Sequence, residues 1–275
     1  VVAVERPVPA IALDLVQQVV DDQSIGIKGL LKAAIAQNPG NPELQQLNAE
    51  WNNLVFDTST PCPYPGMSPF SEEQSDRFFG RKKEVDEAIQ RLRIFPFLAI
   101  IGASGSGKSS LVFAGCIPQM RHSSFFGRDA LVVRNMRPGP TPIASLASAL
   151  GCTGNDPDEI VASAQGLTSG VPVVLVVDQF EEAFTLSSAD ENAVFQQSLV
   201  TLANLPSLYL ILTVRADFYP NLMSSPLWHL IQTHRMEVTA LDRKALRAAI
   251  AAPSQQAGVS IEDALVERLL ADAAG

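Results

Sequence analysis

An apolar run, Phe97-Leu98-Ala99-Ile100-Ile101, leads straight into Gly102-Ala103-Ser104-Gly105-Ser106-Gly107-Lys108-Ser109. This G-x-x-x-x-G-K-S pattern constrains the fold more than any other stretch. It needs a strand before it and a helix after it, with a loop between them that wraps around phosphate. Backbone N–H groups must converge on the ligand, so side chains have to be absent where the loop turns. Gly102, Gly105 and Gly107 meet that need, and Ala103, Ser104 and Ser106 complete the cradle. Lys108 is the cation for the outer phosphates, and Ser109 offers a hydroxyl to Mg²⁺. Ser110 and the apolar Leu111-Val112-Phe113 continue into the expected helix, whose positive end faces the phosphates.

Val173-Val174-Leu175-Val176-Val177 is apolar on both faces, as a central parallel strand is, and it ends in Asp178. An acid at that tip suits the magnesium site of a P-loop NTPase. Glu181 and Glu182 follow, and either can polarise an attacking water or simply favour a helix N-terminus. Gln179 departs from the commoner pattern, in which a second acid directly follows the first. A third strand, Leu208-Tyr209-Leu210-Ile211-Leu212-Thr213-Val214, ends at Arg215. That guanidinium can bind a phosphate oxygen by bidentate hydrogen bonds, or it can pair with Asp217 or one of the glutamates.

Strand–helix alternation predicts an α/β, three-layer P-loop sandwich with a mainly parallel sheet. A short helical segment over 1–56 precedes it, with helices expected at Ala10–Val20, Ile25–Gln37 and Pro42–Phe56. A Pro-rich linker occupies 57–75, the nucleotide-binding domain 76–240 and the start of a helical lid 241–275. Ser71–Gln74 and Ser188–Glu191 are candidate capping boxes, and helices are expected at Lys82–Arg93, Pro142–Leu150, Asp158–Ala164 and Ser188–Leu202. Further strands are expected at Ala130–Asn135 and Met236–Thr239. Asp242 is expected to cap a helix that stops at Pro253, and a second lid helix is expected at about 261–271.

Net charge of −9 argues against broad nucleic-acid binding, because no basic stripe releases phosphate counterions. Cys62, Cys116 and Cys152 lack metal-ligand spacing and read as reduced thiols of a cytoplasmic protein. No apolar stretch reaches membrane-span length. The chain lacks a starting methionine and ends in or just after a helix, which reads as a piece of a longer polypeptide.

Three features together resemble a particular family. They are Pro63-Tyr64-Pro65-Gly66-Met67-Ser68-Pro69-Phe70 leading to Phe78-Phe79-Gly80-Arg81, then Val177-Asp178-Gln179-Phe180-Glu181-Glu182-Ala183-Phe184, and Leu212-Thr213-Val214-Arg215-Ala216-Asp217-Phe218. This combination resembles the novel STAND NTPases of bacteria, type-one group, relatives of the NACHT and NB-ARC switches, over about residues 62–275. The resemblance implies ATP/ADP and Mg²⁺ as cofactors. It places Phe79, Gly80 and Arg81 along the adenine and ribose, and Pro253 near the base. Lys108 and Ser109 match the Walker A pair, Asp178 the magnesium acid, Glu181 and Glu182 the acidic pair, and Arg215 the sensor arginine. It further implies a slowly hydrolysing signalling switch that self-associates, with an effector upstream and sensor repeats downstream in the same polypeptide. Without a winged helix, the chain alone is expected to bind nucleotide but not to form a defined assembly. An AAA+-type motor with Arg235 or Arg243 as finger, or a non-hydrolysing scaffold, are the alternatives. No N/T-K-x-D motif supports a GTPase, and no L-S-G-G-Q stretch supports a transporter ATPase.

Overall fold

The computed structural model describes residues 34–53, 63, 64, 66 and 68–273. It divides into two units, Val1–Pro61 and Cys62–Gly275. In the first, residues 34–37 and α1 (Pro42–Asn53) are helical. The predicted helix at 10–20, most of that at 25–37, residues 54–56 and residues 57–62, 65 and 67 of the Pro-rich linker lie outside the described residues.

The second unit is built on five strands: β1 (Phe97–Gly102), β2 (Val132–Met136), β3 (Val173–Val177), β4 (Leu208–Arg215) and β5 (Arg235–Val238). They form one sheet in the order β2-β3-β4-β1-β5, and every pairing is parallel. The main helices are α2 (Lys82–Ile94), α3 (108–122), α4 (Pro142–Leu150), α5 (Pro157–Thr168), α6 (Ala189–Leu202), α7 (Arg243–Gln256) and α8 (Asp263–Asp272).

The period-2 alternation of strand side chains divides the core between the two faces of the sheet. Phe97, Ala99 and Ile101 of β1 join Leu175, Val177, Leu210 and Leu212 against α4, α5 and α6. Leu98 and Ile100 join Val174, Val176 and Ile211 against Val85, Ile89 and Leu92 of α2 and Leu111, Ile117 and Met120 of α3. Helices on both faces explain why β1 and β3 are apolar without interruption.

Helix ends follow local chemistry. The Asp156 carboxylate accepts from the N–H groups of Asp158 (2.9 Å) and Glu159 (3.3 Å) beside a proline in the first turn of α5. That cap starts the helix at Pro157, one residue before the predicted Asp158, and α5 runs on to Thr168. Ser188 caps α6 through the Glu191 N–H (3.3 Å). Gln74 returns a side-chain oxygen to the Ser71 N–H (3.0 Å) at the short turn Glu72–Arg77.

Three expectations are corrected. Strand β2 begins at Val132, because residues 128–130 form a tight 3₁₀ turn. Strand β5 covers Arg235–Val238, one residue earlier than expected. Helix α7 does not stop at Pro253; it runs on to Gln256. The ring removes one N–H bond, yet neighbouring carbonyls find other donors. The Tyr64 hydroxyl donates to Ile250 O (2.5 Å), and Ser254 Oγ donates to Ala251 O (2.9 Å). Buried Pro253 is therefore carried inside the helix.

Candidate nucleotide site

The C-terminal ends of β1, β3 and β4 meet at one end of the sheet, where open parallel sheets place their ligand sites. At Gly102 a Cβ would stand 2.4 Å from Val238 O, so only glycine lets β1 turn here. Gly105 and Gly107 adopt left-handed φ of +73° and +86° and have open space where a side chain would stand. Ala103, Ser104 and Gly105 are exposed along the loop, and Gly107 starts α3. Lys108 is buried and donates from Nζ to Gly102 O (2.9 Å) and Ala103 O (2.8 Å). Burial pushes its pKa down, against the pull of Glu181 and Asp178. Ser106 Oγ is buried without a hydrogen-bond partner.

Asp178 sits at the tip of β3 and is nearly inaccessible. Its Oδ1 accepts from Ser109 Oγ (2.7 Å) and from Thr213 Oγ1 (2.7 Å), and its Oδ2 lies 3.4 Å from Arg137. The hydroxyl and the acid singled out on separate motifs are thus joined directly. Thr213 and Arg137 escaped the sequence reading. Thr213 is the one polar residue within the otherwise apolar Leu208–Val214 run, a visible signal. Arg137 is visible only once β2 is known to lie beside β3.

The two glutamates part company. Glu181 is buried, and its Oε2 accepts from the Arg215 N–H (3.2 Å). Burial raises its pKa, opposed by that hydrogen bond and by the charges of Lys108 and Arg215. Glu182 instead accepts from the Gly139 N–H through Oε2 (3.0 Å). The Arg215 guanidinium grips Asp217 (2.6 and 3.1 Å) and lies over the Phe218 ring, the pairing that the sequence left open.

Arg81 is almost fully buried and donates to Ser106 O (2.9 Å), Thr239 O (2.8 Å) and Glu84 (2.7 Å). It braces the back of the phosphate loop against the end of β5. Gly80, at φ +89°, lies under the first turn of α7, where a Cβ would stand 2.5 Å from Ala245 O. Phe79 is half-buried just before it. The Ser110 hydroxyl accepts from the Phe70 N–H (3.1 Å), tying the segment ahead of α2 to the loop helix. Arg243 and Arg247 are engaged with Glu267 in α8, and Arg235 with Glu237.

These residues fit a magnesium nucleotide. The orphan Ser106 hydroxyl, the open glycine cradle and the Ser109–Asp178 pair are the donor set that such a group uses. Among the described residues no group of three or more His, Cys, Asp and Glu gathers to hold a metal. One carboxylate, one hydroxyl and substrate phosphates are how Mg²⁺ is commonly held.

The family model "Novel STAND NTPase 1" matches residues 63–275. The chain belongs to this family. No curated protein matches its sequence. Two solved structures with the same fold are the Walker-type ATPase PABY2304 of Pyrococcus abyssi and Cdc6p of Pyrobaculum aerophilum. The first has a TM-score of 0.50 at 14% identity, covering 76% of this chain and 66% of that one. The second has a TM-score of 0.50 at 12% identity, covering 76% and 55%. The chain therefore spans about two thirds of the first and little more than half of the second. As a Novel STAND NTPase, it carries the P-loop sandwich on which nucleotide binding in the family rests. Among the described residues no helix is long and apolar enough to cross a membrane.

Proposed function

We propose that this protein is an ATP-binding, slowly hydrolysing switch whose nucleotide state controls self-association within an effector-linked polypeptide. The observation that carries the reading is the Ser109–Asp178–Thr213 hydrogen-bonded group beneath an open glycine cradle, with buried Glu181 beside Lys108. Lys108 would leave the loop carbonyls to hold phosphate, and Ser109 and Asp178 would hold Mg²⁺. The metal's chemistry there is to neutralise charge on the phosphates. Glu181 would accept a proton from the attacking water. Glu182, bound to the Gly139 backbone, keeps the neighbouring loop in place. Arg215 would have to release Asp217 to reach a phosphate. That exchange suits a switch with a slow step better than a motor.

Calorimetry on wild type and Lys108→Ala tests the core of the reading. Loss of a charge-assisted phosphate contact should weaken Mg·ATP about tenfold or more. Unchanged affinity would remove the P-loop assignment. Turnover separates the alternatives: a slow rate supports the switch, and fast turnover favours a motor. A ring seen by light scattering only with a non-hydrolysable ATP analogue would also favour the motor.

A further inference from the structure

Arg137 lies outside every motif the sequence displayed, yet the fold carries it to the metal acid. Met136 pairs with Val177 at the end of β2, and the Asp178 N–H donates to Met136 O (2.9 Å). The next residue along β2 is therefore delivered beside Asp178. The loop that holds it, Arg137-Pro138-Gly139-Pro140, is pinned on both sides. Gly139 N–H donates to Glu182 Oε2 (3.0 Å), and Ser145 Oγ donates to Pro138 O (3.1 Å). Gln179 closes the ring of contacts. It holds a left-handed φ of +55° while its N–H donates to Thr213 Oγ1 (2.9 Å). In the amide orientation that satisfies both of its ends, its nitrogen donates to Glu182 Oε1 (2.9 Å) and its oxygen accepts from Arg137 Nη2 (3.3 Å). A left-handed residue with a side chain is uncommon and marks a place where surrounding contacts dictate the backbone.

Asp178 has two different oxygens. Oδ1 already accepts two hydroxyl donors, whereas among the described residues Oδ2 faces only the Arg137 guanidinium, 3.4 Å away. Among the described residues, Arg137 is the one cation within ion-pair distance of Asp178. About half of its side chain is exposed, in contrast to the buried acid, so it is anchored at the loop with solvent-side room for its tip to exchange partners. A divalent cation at Oδ2 and the guanidinium carry like charge and repel one another, so the two compete for that oxygen. Glu182, which holds the loop that carries Arg137, is already engaged with Gly139 and Gln179.

We propose that Arg137 is a cis-acting cation that reads the terminal phosphate of a bound nucleoside triphosphate. It guards Asp178 in the metal-free state, then yields that carboxylate to a divalent cation and turns to the phosphate. The inference rests on the nucleotide-binding reading above. It gives β2, an edge strand with no motif of its own, the task of distinguishing triphosphate from diphosphate.

Calorimetric titration of wild type, Arg137→Ala and Arg137→Lys with Mg·ATP, Mg·ADP and ATP in EDTA provides the test, with thermal melts to check folding. Arg137→Ala should weaken Mg·ATP about tenfold or more and leave Mg·ADP within about twofold. Arg137→Lys should recover part of the loss, since it keeps the charge but not the planar fork. In EDTA the ATP difference should shrink, because the arginine then remains on Asp178. An unchanged ATP-to-ADP affinity ratio would overturn the proposal. So would an equal loss for both nucleotides, which would make Arg137 a loop-packing residue, or a full ATP difference in EDTA. Lys108→Ala distinguishes the two levels of failure. If wild type binds neither nucleotide any better than Lys108→Ala does, the nucleotide reading falls. If wild type binds both and only the ratio is insensitive to Arg137, that reading stands and Arg137's role falls.

Discussion

Glu181 and Glu182 are adjacent in the chain and have opposite surroundings. Glu181 is buried near Lys108 and accepts from the Arg215 N–H, while Glu182 is committed to the loop after β2. Glu181→Gln should therefore keep Mg·ATP affinity and slow hydrolysis by roughly 10²-fold, measured as phosphate release in single turnover. Glu182→Gln should act mainly through the loop, and a larger catalytic loss there would reverse the assignment. Burial raises the Glu181 pKa, and the sign of the stability effect follows. Its contribution is fully present below the ordinary glutamate value of about 4.5 and is lost as pH rises through the raised folded value. Glu181→Gln, which cannot ionise, should melt above wild type at neutral pH, and the gap should close in acid. The acid limb of the hydrolysis profile should also lie above the usual carboxylate range, because a base must be ionised to act. A variant that gains stability as it loses turnover is the pattern expected of a residue kept for chemistry.

Among the elements, Gly80 shows how closely the start of α7 is seated. Its φ of +89° and the 2.5 Å approach to Ala245 O leave no space for a methyl group. Gly80→Ala should cost about 1–3 kcal/mol and lower the melting temperature by several degrees. Gly258→Ala has a similar φ of +75° but nothing within 4 Å, so it should cost only the backbone strain, about 1 kcal/mol. Equal losses in thermal melts would mean that the contact with α7 carries no energy. The same elements show what was readable in advance. Strands β1, β3 and β4 announced themselves because burial on both faces demands apolar runs, broken in β4 by Thr213 alone before its terminal Arg215, and the phosphate loop did so because its glycines are sterically required. Helix α3 contains a π turn over Leu111–Cys116 that no periodicity revealed, since a one-residue shift in hydrogen bonding leaves the apolar stripe nearly intact. At Gly115 within that turn a Cβ would stand 2.5 Å from Val85 Cγ2, so α2 and α3 approach closely there. Pro253 failed as a stop signal because side-chain donors relieved its neighbouring carbonyls. Arg137 was hidden because no local pattern tells a strand which strand will lie beside it.

At the scale of the whole sandwich, ligand and fold are thermodynamically linked. The phosphate loop continues β1, bonds to Asp178 at the tip of β3, is linked through that acid to Thr213 of β4 and, through Arg81, to the residue after β5, so a nucleotide there should stabilise the sheet as a unit. Mg·ATP at a hundred times its dissociation constant should add about 2.7 kcal/mol, a rise of roughly 5–10 °C in melting temperature. GTP should give a smaller rise, and Lys108→Ala a clearly smaller one than wild type with either nucleotide. Equal shifts by both nucleotides would count against adenine preference. The strand order has one more consequence, and it concerns time. Strand β1, made first, lies between β4 and β5, the last two strands to be made. A ribosome that has released the chain only as far as Val177 has given β2 and β3 each other, and β1 nothing. The strand that leads into the phosphate loop then waits, unpaired, until nearly the whole sheet has been synthesised. Premature termination in that interval would leave a sticky polypeptide that holds the phosphate-loop sequence without its fold.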